Sequence, residues 1–120
     1  MSAGATDPAT QLQGTWTLTK VGDAPVPDGM TATMSVNAGQ ISFDLGCNTI
    51  NAVPMFGPTF VRFRDVVSTK MGCPPDVAAL EAQLMDALGR IDAMQVGVGD
   101  TLSFYDGLNA IQLGAQRAAP

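Results

Sequence analysis

The sequence predicts a mainly β, α+β domain: a curled antiparallel sheet or partly closed small barrel of about seven or eight strands, with one α-helix packed against it. Three observations predict it. Apolar residues recur with period two over most of the chain, as in strands that bury one face. The period changes to that of a helix once, after Pro74 and Pro75. One helix cannot supply the crossovers that a set of parallel strands needs, so the strands must pair antiparallel.

The first strand is read at residues 14–20, where threonines alternate with Trp16 and Leu18. Trp16 is the expected core anchor, since an indole buries a large apolar area. Two prolines and two glycines make residues 22–29 a loop. Met30, Ala32, Met34 and Val36 then alternate, Asn37-Ala38-Gly39 turns the chain, and Ile41, Phe43 and Leu45 return on the same parity. This is a hairpin. A short strand is expected near 49–53, before Pro54, Gly57 and Pro58 interrupt the pattern. Val61 and Phe63 alternate with Arg62 and Arg64 in a strand ending near Val67. Next, Val77, Leu80, Leu84 and Leu88 fall at intervals of three, four and four, one stripe of a helix. Prolines are tolerated in its first turn, Asp76 complements or caps the positive end, and Gly89 with Arg90 ends it. Met94, Val96 and Val98 precede Gly99-Asp100, which predicts a two-residue hairpin turn leading to Leu102 and Phe104. Asp106-Gly107 makes the last turn, before Ile111 and Leu113.

With 120 residues, the chain is expected to hold one domain over residues 14–115, between a leader or linker at 1–13 and a frayed tail at 116–120. The first residues lack the charged and apolar regions of a signal peptide, and no apolar run is long enough to span a bilayer. Formal net charge is −5, from 11 acids against six bases. Arg62, Arg64 and Lys70, interrupted by Asp65, do not form the basic stripe that nucleic acid requires, so no nucleic-acid partner is expected.

Histidine is absent, which removes the usual general base, the usual activator of a cysteine and the commonest zinc ligand. Cys47 or Cys73 acting as a nucleophile would need an electropositive setting, and Lys70 is the nearest base to Cys73 in sequence. As metal ligands the two lack a CxxC spacing or a histidine partner, so neither a metal nor a cofactor is expected. Two readings of the pair stay open on the residues alone. A disulfide would remove ~3.5 kcal/mol of unfolded-state entropy on the loop-length relation; two buried reduced thiols are the other reading. Asp44 is expected on a solvent face, and Asp76, Glu81 and Asp86 on the wet side of the helix. The methionines, Met30, Met34, Met55, Met71, Met85 and Met94 among them, are expected mainly to fill the core. No glycine-rich phosphate loop is present. No residue is assigned a catalytic role.

"GTWTL" at 14–18, "GCN" at 46–48, "STKMGCPP" at 68–75, "LE" at 80–81 and "LSFYDGLNAIQL" at 102–113 occur in this order. Together they resemble the META-domain, or HslJ-like, family of small bacterial proteins, over residues 14–113. The sequence departs from the family pattern at Ala52, where members tend to carry a glycine, so the local loop after Asn48 is expected to differ. The resemblance implies a compact β fold with a helix and a cell-envelope protein, in the periplasm or outer envelope, often behind a signal peptide or lipid anchor. A cytoplasmic location stays open. It also implies associations with heat shock, novobiocin resistance and, in parasites, virulence, and no established enzymatic activity. An extracytoplasmic setting favours a Cys47–Cys73 disulfide. Gly46, Asn48, Ser68, Thr69, Met71 and Pro74 then become structural motif residues. Asn48 is expected to shape a turn through its own backbone, and Ser68 and Thr69 to cap or hold the loop before the helix. The leading expectation is a monomeric, non-enzymatic envelope protein, a binding or stress-tolerance module for an unknown protein or small molecule. The alternative is a small-ligand or peptide-binding β module resembling a protease inhibitor; a cytosolic enzyme using Cys73 comes third.

Overall fold

In the computed structural model, residues 12–22, 24–27, 29–37, 39–57 and 60–118 are described. The strands are β1 (Gly14–Val21), β2 (Ala24–Pro25), β3 (Thr33–Asn37), β4 (Gln40–Asp44), β5 (Thr49–Phe56), β6 (Val61–Ser68), β7 (Ala93–Gly97), β8 (Thr101–Tyr105) and β9 (Ile111–Arg117). Helix α1 (Pro75–Leu88) lies between β6 and β7. All pairings are antiparallel, in the order β6-β5-β4-β3-β1-β9-β8-β7, with the two-residue β2 beside β1. This is the predicted curled sheet.

The sheet bends far enough for its two outer strands to approach. The Val61 N–H donates to the Asp92 carbonyl at 3.1 Å, and Arg62 Nε pairs with Asp92 Oδ1 at 2.7 Å. Phe63 meets Phe104 edge to face, 5.5 Å between centroids. Helix α1 packs against β1, β9 and β6 and sends Leu80, Leu84 and Leu88 into the core. Trp16 is fully buried there, and its Nε1–H donates to the Leu12 carbonyl. The Arg117 guanidinium stacks over its ring at 4.2 Å.

Three register shifts produce the curvature and move side chains between faces. In β1, Leu18 opposes Ala115 but Lys20 opposes Gly114, so the alternation set by Trp16 and Leu18 resumes one residue late at buried Val21. In β9, Phe104 opposes Leu113 but Tyr105 opposes Ile111. Ile111 is therefore exposed and Gln112 buried, against the expected parity. In β6, Asn51 opposes Val67 but Val53 opposes Arg64, and Asp65 sits at φ 52°. That bulge bends an outer strand and blunts its edge.

The structure corrects several sequence expectations. β5 runs through Pro54 to Phe56, because residues past Ala52 have no β4 partner and a proline there removes no ladder bond. Ala52 is a buried strand residue opposite Ile41 rather than part of a loop. β3 begins at Thr33, so Met30 and Ala32 precede it. The β7–β8 turn has three residues, with Gly97 opposite Thr101, and Gly99 and Asp100 both at positive φ; Val98 is exposed. Gly89 ends α1 in a right-handed conformation, φ −72°. Strand pairing continues past residue 115 to Arg117, and the Ala118 N–H donates to Thr15, so the tail is tied there instead of frayed. Leu12, placed in the leader by sequence, is fully buried. Residues 1–11 and 119–120 lie outside the described residues.

Asp106 organises the β8–β9 turn. Its Oδ1 accepts the N–H groups of Leu108 and Ala110, and its Oδ2 accepts Gln112 Nε2. The backbone N–H groups of Ala110 and Leu108 hold its carboxyl below the ordinary carboxylate range. A folded-state pKa below the unfolded one stabilises fully above the unfolded value and ceases as pH falls through the folded value. Asp106→Ala should therefore lower the melting temperature at neutral pH. The gap to wild type should narrow as pH falls below the ordinary carboxylate value of about 3.9, measured by thermal denaturation from neutral to acid pH.

Candidate functional site

The motif residues at 46–48 and 68–75 meet beside the first turns of α1. Gly46, at φ +101°, turns the chain out of β4, and its N–H is held by Asp44 Oδ1. This brings Cys47 to Cys73, and the two form a disulfide with Cα atoms 6.0 Å apart. It joins the β4–β5 connection to the last residues before α1. Pro74 takes the N-cap position with φ −54° and has no side-chain cap; its carbonyl accepts the Ala78 N–H. Asp76 accepts the N–H of Val77.

Asn48 is the centre of the site. It does not turn back on its own backbone but bridges three segments. Its backbone N–H donates to Glu81 Oε2 at 2.8 Å, and its Nδ2 to Glu81 Oε1 at 2.9 Å. Its Oδ1 accepts the Thr69 hydroxyl and the Met71 N–H, each at 2.8 Å. Thr69 completes the link to β5, since Thr69 Oγ1 accepts the Thr49 N–H and the Thr69 N–H donates to the Thr49 carbonyl. Ser68 instead donates to the Thr69 carbonyl, and neither Ser68 nor Thr69 caps the helix.

Glu81, expected on the wet side of α1, is only 7% exposed, and Asn48 only 8%. A buried carboxylate is tolerable when its oxygens are hydrogen-bonded, and both oxygens of Glu81 are bonded to Asn48. Helical spacing could not show this, because a charged residue next to an apolar stripe reads as solvated. The signal was the "LE" at 80–81 within the family motif set. The methionines also differ from expectation. Met34 is fully buried, whereas Met55, Met71 and Met85 are exposed, Met71 at 62%.

An open depression of about 400 Å³ lies against this hub, lined by Asn48, Lys70, Met71, Cys73, Glu81 and Met85 among others. Of the residues singled out by sequence, Asn48, Ser68, Thr69, Met71 and Cys73 border it; Trp16 belongs to the core. Arg62 is hydrogen-bonded to Asp92 at 2.7 Å, and exposed Arg64 lies 3.7 Å from Asp65.

Replacing Asn48 by alanine leaves the Met71 N–H and one Glu81 oxygen without partners, so Asn48→Ala should cost about 2–3 kcal/mol. Glu81→Ala should cost a similar amount. Chemical denaturation of the single and double variants should return a coupling of at least about 1 kcal/mol; additive losses would mean that the two side chains act separately.

A family model for the META domain matches residues 9–117. Among solved structures, the chain is similar to a protein from Burkholderia xenovorans determined by NMR, with a TM-score of 0.72 at 24% identity, over 100% of this chain and 96% of that one. A second NMR structure is similar over 92% of this chain and 95% of the other, with a TM-score of 0.69 at 17% identity. At these identities the likeness is one of fold. No curated protein matches the chain. The family match spans the whole sheet and includes both cysteines, Asn48 and Glu81, and the chain belongs to the META-domain family.

Proposed function

We propose that this is a non-enzymatic META-domain protein of the cell envelope, a binding or stress-tolerance module whose contact surface is the depression beside the hub. The observation that carries this reading is the use made of its polar groups. Glu81, the buried carboxylate of the site, has both oxygens bonded to Asn48, and the Asn48 amide is spent on Glu81, Thr69 and Met71. Groups so committed hold the fold together, and no second titratable side chain is hydrogen-bonded to Glu81 among the described residues to share acid–base work with it. The disulfide supports an extracytoplasmic setting, where such bonds persist. Among the described residues no helix is long and apolar enough to cross a membrane.

Met71 and Met85 are exposed at the depression. Flexible thioether side chains suit adaptable contacts with apolar groups. Their exposure there supports a contact surface for a small molecule or a peptide.

The test pairs a fragment screen, observed by NMR at the methionine methyls of the oxidised protein, with a panel of hydrolase and transferase substrates. The expected result is binders that shift Met71 and Met85 selectively, with no turnover. Turnover that disappears in Glu81→Gln would overturn the non-enzymatic reading, and shifts clustered elsewhere would overturn the placement.

A further inference from the structure

Each cysteine is preceded by a glycine, and the two thiols of a reduced chain would face a carboxylate that the fold has already fixed. Sγ of Cys47, Sγ of Cys73 and a carboxylate oxygen of Glu81 lie within 4.8 Å of one another. The Cys73 Sγ to Glu81 Oε1 separation is 3.7 Å. Zinc holds thiolate sulfur at about 2.3 Å and carboxylate oxygen at about 2.1 Å, and two such ligands at a tetrahedral angle stand ~3.6 Å apart. The carboxylate is therefore already placed for a metal shared with Cys73. The spacing that argued against zinc in the sequence, with no CxxC and no histidine, is overcome by the fold, which joins residues 26 positions apart.

We propose that the reduced form of this protein binds one Zn²⁺ through Cys47 Sγ, Cys73 Sγ and the Glu81 carboxylate. Forming the site requires a two-electron reduction of the disulfide by a dithiol. The dithiol becomes a disulfide, and its two electrons and two protons leave two thiols on the protein. Zn²⁺ then displaces the two thiol protons, and neither metal nor protein changes oxidation state in that step.

Four features of the structure favour the site. The sulfurs must separate from bonding distance to ~3.8 Å, the edge of a tetrahedron with 2.3 Å bonds. Gly46 and Gly72, the residues before the two cysteines, carry no side chain, and nothing lies within 4 Å of where a Cβ would stand on either. Asn48 orients the Glu81 carboxylate through two hydrogen bonds, as outer-shell partners of metal ligands commonly do. Cys73 and Glu81 also line the open depression, which leaves a side for water as the fourth ligand. Two thiolates, one carboxylate and Zn²⁺ carry a net charge of −1, and Lys70 lines the same depression.

The inference is independent of the binding-module reading, which concerns the oxidised protein. Its test uses the full chain, reduced anaerobically with a water-soluble phosphine, which takes its oxygen from water and leaves both cysteines as thiols. Co²⁺, a spectroscopic substitute for Zn²⁺, is titrated in, and circular dichroism follows the fold. The expected result is one equivalent of Co²⁺ with a thiolate-to-cobalt charge-transfer band and intense tetrahedral ligand-field bands, bleached by one equivalent of Zn²⁺. The oxidised chain should show no such bands, and Cys47→Ser and Cys73→Ser should each abolish them. Glu81→Gln should lower Zn²⁺ affinity by at least about tenfold. If the reduced chain loses its native dichroism, Zn²⁺ should restore it. Absence of the charge-transfer band in reduced wild type, a weak octahedral spectrum, or failure of Zn²⁺ to restore a lost fold would overturn the proposal. So would undiminished affinity in a folded Glu81→Gln variant.

Discussion

A buried carboxylate is the constraint on which the site depends. Glu81 sits one residue beyond Leu80 on a helix whose apolar stripe must face the sheet, so its oxygens lie where water has little access. An unsatisfied charge there would cost several kcal/mol. Asn48 meets the demand with a backbone N–H and a side-chain amide, and in doing so is itself fixed. Its remaining oxygen then fixes Thr69 and Met71, in a stretch that belongs to no strand or helix. One asparagine thus converts the burial of a helix residue into the path of the chain before that helix. The disulfide joins the same two segments covalently, one residue from Asn48 and two from Met71.

The sheet supplies the frame for this arrangement. Register shifts in β1, β6 and β9 bend eight consecutive neighbours until β6 hydrogen-bonds Asp92, the residue before β7, at one end. The helix connects those same two strands in sequence and packs against β6, β1 and β9. Its first turns therefore lie next to the end of β6 and the start of β5, where Ser68 opposes Ile50 and where the motif residues are found. The depression is the space left at that junction.

Much of this was legible in the sequence, and the failures have physical causes. Period-two alternation found the strands wherever pairing is regular, as at Met34, Val36, Ile41 and Phe43, all buried. It mistook Ile111 and Gln112 because an extra residue in a strand reverses which face follows, and nothing local marks the shift. The 77, 80, 84, 88 stripe located α1 because those side chains alone decide which face is buried. The same logic placed Glu81 in solvent, since spacing cannot reveal that a residue 33 positions earlier carries the donors it needs. Gly46 and the two cysteines were recoverable through the family motifs, but the role of Asn48 was not. A side chain that bridges three segments looks, in sequence, like any turn asparagine.

The most direct test is native-state hydrogen exchange of the Met71 amide. Met71 lies in an exposed stretch without regular structure, where amides ordinarily exchange within minutes or faster through local opening. If the Asn48–Glu81 hub organises this junction, its N–H, held by Asn48 Oδ1, should exchange only with an opening free energy close to that of central strand amides such as Phe43. Exchange at the rate of the neighbouring exposed residues Lys70 and Gly72 would contradict the account, leaving the disulfide alone to hold the two segments together.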